Sequence, residues 1–595
     1  MHRLFSNLLK SEILRFHFFI LATAFTSLIA AQRAPEDSGY TRPYSLLIQN
    51  AQIIDVRSGE TKPGMDILIE KGTIKSIKKE IGDESATAVV NAQGKYVIPG
   101  LIDAHIHLFQ SGGLYTRPDA VDLRDIQPYE DEIQWLKDRA PEILNGYQHA
   151  GITTVIDMGG PMYNYEIRSS YTDPRQYPDL FLTGPLISTY QPPEFAIADP
   201  PIIRVTNSEE ARQQVLKQLP YSPDFIKIWY IVTPGNSAES TYDIVKAAID
   251  ESRSHGIRVA VHATQLNTAK LAIKAGADVL VHSVTGPIDQ EFIEMMLAND
   301  VAYIPTLTVH GNYNLAFAGK LELDDRILRQ VHPPVIASLI ESTHIDHPFL
   351  KQLGEYADQF IEMDRRQDSI RKINLRMLSD AGVTISTGTD AGNIGTLHAS
   401  SYYSEILSMA EAGLTNHEIL KSSTYGAAHV INMNDSLGLI EEGFIANLVL
   451  LDENPLQDLK ALLGSKTVIQ NGQLAATDAL LQFDSPEELA QRQLNAYNLR
   501  NIDAFLEPYS DSVRVYNFPD QLLYVGKEIM RNGYKSFFDQ TPELHCKLLN
   551  RIVEGNTVID HELVTGLPNG STINAVAIYK IRDGEIAEVY FDRGQ

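Results

Sequence analysis

The stretch Val97-Ile98-Pro99-Gly100-Leu101-Ile102-Asp103-Ala104-His105-Ile106-His107 decides how this chain is read. It is a short apolar run that ends on two histidines two positions apart. Side chains alternate across a strand, so both imidazoles project to one side and reach one cation. Working outward, four more metal-capable side chains lie in or at the end of comparable runs. Lys227 sits in Phe225-Ile226-Lys227-Ile228-Trp229, His262 follows Val259-Ala260-Val261, His282 follows Val279-Leu280-Val281, and Asp390 closes Thr384 to Thr389. That order spells a hydrolytic metal centre.

Between residues 99 and 436, such runs alternate with helical patterns, the mark of βα units and a parallel sheet. Strands are expected to end near His107, Asp157, Gly184, Trp229, His262, His282, Pro305 and Asp390. Eight strands fit an α/β fold of the (β/α)8 TIM-barrel kind, whose sites are built at the C-terminal strand ends. All six candidate ligands fall at or near such ends. Residues 44–98 and 437–475 share another grammar, short strands separated by turn residues, and are expected to form one small composite β-sandwich with the barrel inserted in it.

Each ligand has an ordinary alternative when taken singly. A lone strand-end His is usually a satisfied structural residue, and Asp390 in Gly-Thr-Asp-Ala-Gly caps a turn equally well. Lys227 is sharper, because a buried ammonium is costly without a partner. Either it snorkels or its charge is transformed, for a neutral lysine near metals adds carbon dioxide to give a carbamate able to bridge two cations. Their joint order across five strands carries the reading. Imidazole and carboxylate donors suit zinc, with Mn, Co or Fe as competitors, and two divalent ions acidify a shared water. Asp390, able to touch both metal and water, is the expected catalytic general acid/base.

The chain has 595 residues, 44% hydrophobic and 21% charged, enough for two or three domains. A formal net charge of -26 excludes a nucleic-acid or anionic-membrane partner over most of the surface. Arg3, Lys10 and Arg15 precede an apolar stretch from Phe16 to Ala31. Residues 1–31 read as a signal peptide, short for a bilayer span of ~20 residues, and residues 32–43 as a linker. A periplasmic or secreted protein with no membrane contact in its mature form is expected. The lone Cys546 excludes an intramolecular disulfide.

Over residues 44 to 475 the chain resembles the amidohydrolase superfamily, in particular its imidazolonepropionase-like and prolidase-like branch. The motifs are the opening stretch, Ala150-Gly-Ile-Thr-Thr-Val-Ile-Asp-Met-Gly-Gly160, Ala275-Gly-Ala-Asp-Val-Leu-Val-His-Ser283 and Gly388-Thr-Asp-Ala-Gly392. The resemblance implies that His105, His107 and Asp390 hold one metal, that His262 and His282 hold the other, and that a carboxylated Lys227 bridges them. It implies hydrolysis of carbon-nitrogen bonds in a small-molecule amide or dipeptide. A Tyr after the bridging Lys contacts substrate in dipeptidase relatives, which points to Tyr230; His310 and His398 fall on loops expected at the site mouth. One departure stands out: Asn447 occupies a place that usually carries Asp.

From Ser485 the grammar changes again. A helix opened by a Ser-x-x-Glu capping box precedes alternating strands, with Asp583-Gly584 as the last hairpin turn. Residues 484–595 resemble the SnoaL-like branch of the NTF2-like α+β cones. Such cones bind small molecules, perform acid/base catalysis or dimerise, so His545, His561 and Asp592 are candidate pocket groups beside an ordinary surface reading, and a homodimer through this domain is an expectation. Two function classes remain: a metallohydrolase of C-N bonds, with lactone or ester hydrolysis as its variant, and a ligand-binding protein with an idle barrel.

Overall fold

Residues 44–476, 483–568 and 570–592 are described by the computed structural model; the expected signal peptide and linker lie outside them. Strands β1 (Ser45–Asp55), β2 (Glu60–Glu70), β3 (Thr73–Lys78), β4 (Ala88–Asn91) and β5 (Tyr96–Pro99) form the first part of the small β unit. The barrel then runs through β6 (Leu101–Ile106), β7 (Ile152–Asp157), β8 (Asp179–Leu182), β9 (Leu186–Ser188), β10 (Ile202–Arg204), β11 (Phe225–Trp229), β12 (Arg258–His262), β13 (Val279–Val281) and β14 (Ala302–Ile304). Strands β15 (Leu448–Leu451), β16 (Lys466–Gln470) and β17 (Gln473–Leu474) return to the β unit. There β5 pairs with β1 on one side and β15 on the other, so strands from both sides of the barrel share one ladder. Their inward residues, among them Leu46, Ile48, Ile67, Leu448 and Ile469, make one core.

Two features of the barrel were not expected from sequence. Its third strand is broken: β8 pairs with β7, and after Gly184-Pro185 the chain resumes as β9 to pair with β11. Pro185 has no N–H to continue a ladder. The eighth run closes the barrel through isolated bridges rather than a full strand, Tyr303 with Ile385 on one side and Ile106 with Ala391 on the other. A serine- and threonine-rich segment explains this. Ser386 donates its hydroxyl to the Gly426 carbonyl at 2.8 Å, and Thr387 meets Ser423 at 2.9 Å, so side chains supplement the ladder. At Gly388 a Cβ would fall 2.6 Å from Ile304 Cγ2 and 2.9 Å from the His105 backbone nitrogen. Only glycine lets this strand lie close enough to bring Asp390 beside His105.

Asn447 finds its reason here. Its Nδ2 donates to Asp179 Oδ2 at 2.8 Å, and Asn471 donates to Asp179 Oδ1 at 2.8 Å. An Asp at 447 would face the Asp179 carboxylate, which burial already pushes above its ordinary range. The departure thus preserves the contact between the β unit and the barrel floor.

After the barrel, a capping box opens the helix Pro486–Asn498, with the Ser485 hydroxyl and Glu488 satisfying each other's backbone N–H groups. Strands β18 (Tyr509–Asn517), β19 (Gln521–Val525), β20 (His545–Glu554), β21 (Thr557–Thr565), β22 (Ile573–Arg582) and β23 (Glu585–Asp592) form a six-stranded sheet. Asp583 and Gly584 both take positive φ, 52° and 77°, as a tight hairpin requires. The sheet and its helices have their own hydrophobic core. The segment after β14 is helical: Val309–Phe317 borders the barrel mouth, whereas Asp325–Gln330 and Pro333–Glu341 meet the cone. Asn495 donates to the Pro333 carbonyl at 2.8 Å, and Asn501 to Asp325 at 2.6 Å. Among the described residues, no helix is long and apolar enough to cross a membrane.

We expect Asn447→Asp to lower stability by about 1–3 kcal/mol at pH 7, since it replaces a donor by a second carboxylate. Repulsion raises the folded-state pKa of the pair, so the deficit should shrink as pH falls through that raised value. Urea unfolding from pH 7 to pH 4 checks both.

Candidate metal centre

Strand β6 ends by delivering His105 and His107 into the barrel, 0% and 8% exposed. Their Nε2 atoms lie 3.2 Å apart, and each is 3.3 Å from Asp390 Oδ1. These three ligand atoms fall within the reach of a single cation. The other carboxylate oxygen of Asp390 is 3.6 Å from His282 Nδ1, and the His282 ring centroid lies 4.4 Å from that of His262. Asp390 therefore faces both histidine pairs.

Second contacts fix these rings. The Gly159 carbonyl is 2.7 Å from His107 Nδ1, which makes that nitrogen the donor and leaves Nε2 with a lone pair for a metal. Thr306 Oγ1 stands 2.9 Å from His282 Nδ1. His282, Thr306 and Asp390 all take left-handed backbone, with φ of 73°, 42° and 62°. Such conformations cost about 1–3 kcal/mol each in residues other than glycine and concentrate at functional sites.

The electrostatics suit cation binding. Burial holds His105 and His262 well below the ordinary imidazole range and His282 at about 3, so all three are neutral imidazoles with a lone pair to offer. Burial works against the Asp390 carboxylate, but His105, His107 and His282 outweigh it and hold its pKa well below the usual range. Lys227, 1% exposed, shares the cavity wall with His107, His262, His282 and Asp390. Among the described residues its Nζ has no hydrogen-bond partner, and burial pushes its pKa down to about 7 despite the pull of Asp390 and Asp157. An unpartnered amine amid neutral imidazoles and one ionised carboxylate is a donor set that fits metal binding.

The substrate-side expectations divide. His310 is exposed on the wall of this cavity of about 390 Å³. Tyr230 is corrected: it is 2% exposed and its hydroxyl donates to the Ala238 carbonyl at 2.5 Å, outside the cavity. Side chains two apart share a strand face, so Trp229 and not Tyr230 accompanies Lys227 on the wall. His398 is corrected too. Its ring is engaged at both nitrogens, by the Tyr147 hydroxyl at 2.9 Å and the Gln110 carbonyl at 2.7 Å, so it braces the loop after β6 from behind.

Several supporting residues escaped the sequence reading. Asp103 accepts from the Thr389 N–H at 3.0 Å and its hydroxyl at 2.7 Å, locking the closing strand to β6. Asp157 accepts from the Leu108 N–H at 3.1 Å and from Asn164 at 2.8 Å. Glu405 accepts from the Leu307 and Thr308 N–H groups at 2.7 and 3.0 Å, fixing the turn that leads into the helix Val309–Phe317, which carries His310 where the sequence suggested a loop. Asn393 donates to Asp390 Oδ1 at 2.8 Å, accepts from Tyr313 at 2.7 Å, and also accepts from Arg117, itself paired with Asp119. A period-2 pattern could have pointed to Asp103, which shares a face with His105 and His107. Asp157 closes β7, Glu405 and Tyr313 lie on the helices Ser401–Glu411 and Val309–Phe317, and Asn393, Arg117 and Asp119 lie outside strands and helices; periodicity names the partner of none of them.

Residues 96–474 match the amidohydrolase family. The chain belongs to that family. Residues 490–589 match the SnoaL-like domain. Among solved amidohydrolase-type structures, a Xaa-Pro dipeptidase with bound methionine in its active site is similar over 72% of this chain and 99% of its own, with 24% identity and a TM-score of 0.55. A prolidase complexed with N-methylphosphonate-L-proline is similar over 72% and 99%, with 21% identity and a TM-score of 0.56. At such identity these likenesses show the fold. A dihydroorotase from Caldanaerobacter subterraneus subsp. tengcongensis is 49% identical over 67 residues, 11% of this chain and 15% of its own length. This short match spans far less than that relative.

For the metal-stripped amidohydrolase, Lys227→Met should be more stable than the native chain. The folded-state pKa of Lys227 lies below its unfolded value, so the native chain loses stability as pH falls from about 10 to about 7, by at most about 1.4 kcal/mol per pH unit. Below that window the deficit is constant. Melting curves of both proteins with chelator at pH 6, 8 and 9.5 check the slope.

Proposed function

We propose that this chain is an exported, metal-dependent hydrolase of carbon-nitrogen bonds, acting on a small amide or dipeptide. The observation that carries this reading is the meeting of His105, His107, Lys227, His262, His282 and Asp390 at one buried end of the barrel, with Lys227 lacking an anion. His105, His107 and Asp390 would hold one divalent cation, and His262 and His282 a second. The donor set suits zinc. Carbon dioxide would add to the neutral Lys227 amine, forming a carbamate and releasing one proton, and thereby supply the negative charge that the site lacks. When bound, the cations lower the pKa of water and polarise a carbonyl at neutral pH.

The chain's own groups do the rest. Ionised Asp390, steadied by Asn393, takes the proton from the attacking water and hands it to the departing nitrogen, which leaves as a neutral amine. Phe109, Leu186, Phe195 and Trp229 supply an apolar wall that excludes bulk water and seats a side chain, while His310 stands at the rim to meet a polar end of the substrate. The printed names of the similar structures, a Xaa-Pro dipeptidase and a prolidase, favour dipeptides within the amide class. Export rests on the segment from Phe16 to Ala31.

Protein refolded with zinc and bicarbonate should hold two zinc ions per chain by elemental analysis and cleave members of a dipeptide and cyclic-amide panel faster than lactones. Asp390→Asn should keep at least one ion and lose about 10²–10⁴-fold in kcat. A chain that binds no zinc, or an Asp390→Asn variant at full activity, refutes the reading.

A further inference from the structure

Among the described residues, a further set of metal-capable donors converges away from the barrel's own centre: Glu142, His332 and Glu488, whose ligand atoms lie within 4.8 Å of one another. They come from three helices and two domains. Glu142 belongs to Tyr129–His149 of the barrel, His332 is the N-cap of Pro333–Glu341, and Glu488 sits in the first turn of Pro486–Asn498, the first helix of the cone. Amide hydrolysis makes no use of them. They are also separate from the cavity of the cone, whose inward carboxyl is Glu562. The histidines singled out in that domain lie off its cavity wall, His545 stacked on His344 at 3.5 Å and His561 2.6 Å from Asn574.

His332 carries the argument. It is 6% exposed, and among the described residues its Nε2 has no hydrogen-bond partner. Pro333 follows it and holds it in extended backbone, with φ -52° and ψ 128°. Trp135 meets the ring edge-on at 5.2 Å between centroids and Phe483 packs on it at 4.7 Å, so the imidazole is held in place with Nε2 3.5 Å from Glu142 Oε2. Burial, with Arg139 and His398 nearby, pushes its pKa down to about 3. At neutral pH the ring is uncharged and forms no ion pair with Glu142. A buried imidazole nitrogen left without a partner weakens the fold.

The two carboxylates are placed to complete it. Glu142 accepts from Arg139 on Oε1 at 2.8 Å and leaves Oε2 facing His332. Glu488 uses Oε2 for the capping box, accepting from the Ser485 N–H at 3.2 Å and its hydroxyl at 2.6 Å, and keeps Oε1 free of the cap, 3.9 Å from Arg139. One guanidinium thus faces two carboxylates, and one negative charge remains. Two donors on a tetrahedral zinc stand about 3.3 Å apart, close to the spacing of His332 and Glu142. Glu488 has to approach by no more than about 1.5 Å. A cavity of about 30 Å³ borders Glu142 and His332, enough for a water-sized ligand.

We propose that Glu142, His332 and Glu488 form a separate cation site that holds one zinc or similar divalent transition-metal ion and pins the barrel to the cone. An imidazole beside two carboxylates favours a transition metal over magnesium or calcium. Three chain donors and one water complete a four-coordinate shell. The ion supplies the charge that Arg139 supplies only in part, and the guanidinium, 37% exposed, turns to solvent. Because the donors span both domains, binding stabilises their docking.

The test strips the full-length chain with chelator and titrates it with zinc alone, counting bound ions by elemental analysis and reading affinity by competition with a chromogenic chelator. His332→Gln should bind one ion per chain fewer than the native chain, whatever number the barrel's own centre holds. Failure of the hydrolase reading therefore leaves this difference intact. Glu488→Gln keeps the capping box, so it should fold as the native chain does and weaken that ion by about tenfold or more. Arg139→Gln removes the competing guanidinium and should tighten it by about threefold. Zinc should also raise the Tm of the native chain more than that of His332→Gln. Equal zinc stoichiometry and affinity in the native, His332→Gln and Glu488→Gln chains, or weaker zinc binding by Arg139→Gln, overturns the inference.

Discussion

Lys227 places an amino group inside the barrel where no carboxylate, carbonyl or hydroxyl of the described residues receives it. That uncompensated buried nitrogen is the constraint around which the site is arranged. A buried charge without a partner is among the costliest features a fold can carry, and proteins resolve it by neutralising the group or supplying its counter-charge. The neighbouring imidazoles are neutral and offer lone pairs rather than anions. Asp390 brings a single negative charge that is shared between both histidine pairs. Cations and an added carboxylate would complete the charge balance of the centre, and this is what the proposed hydrolase reading supplies.

The barrel reaches this geometry through strain and close approach. Three strand-end residues hold left-handed backbone, and a glycine lets the closing strand press against β6 and β14. Buried carboxylates then tie the strand ends and the turns beyond them in place: Asp103 at the closing seam, Asp157 beneath the loop after His107, and Glu405 under the turn before the helix of His310. Burial pushes the pKa of Asp103 and Glu405 up to about 7 even with these bonds. Their backbone N–H partners are lost only if the loops themselves open, so the scaffold resists the movements that would scatter the ligands.

The fold was legible where strand grammar speaks. Seven expected strand ends coincide with parallel strands, and both halves of the β unit were visible because their apolar runs are long enough to bury. The eighth run, expected as a strand ending at Asp390, instead pairs through isolated bridges and backbone bonds to Tyr303 and His105, supplemented by the Ser386 hydroxyl. The six candidate ligands could be singled out in the sequence because each lies in or closes an apolar run, and the structure brings them to one end of the barrel. Tyr230 was misplaced by counting proximity to Lys227 rather than strand parity, and the same parity separates inward Glu562 from its neighbour His561. Arg117, Asp119, Tyr313 and Asn393 meet only in three dimensions, across more than 270 residues of sequence, and no local pattern announces such a cluster. Asn447 shows the converse: a departure from the family pattern that becomes intelligible once Asp179 stands opposite it.

The account depends on Lys227 being completed chemically rather than tolerated as a bare ammonium. Carbon-13 NMR of the full chain refolded with zinc and 13C-bicarbonate addresses this directly. One carbamate carbon per chain, present in the native protein and absent from Lys227→Met, is the result the account requires. A native chain that carries its full metal complement and shows no such carbon would contradict it.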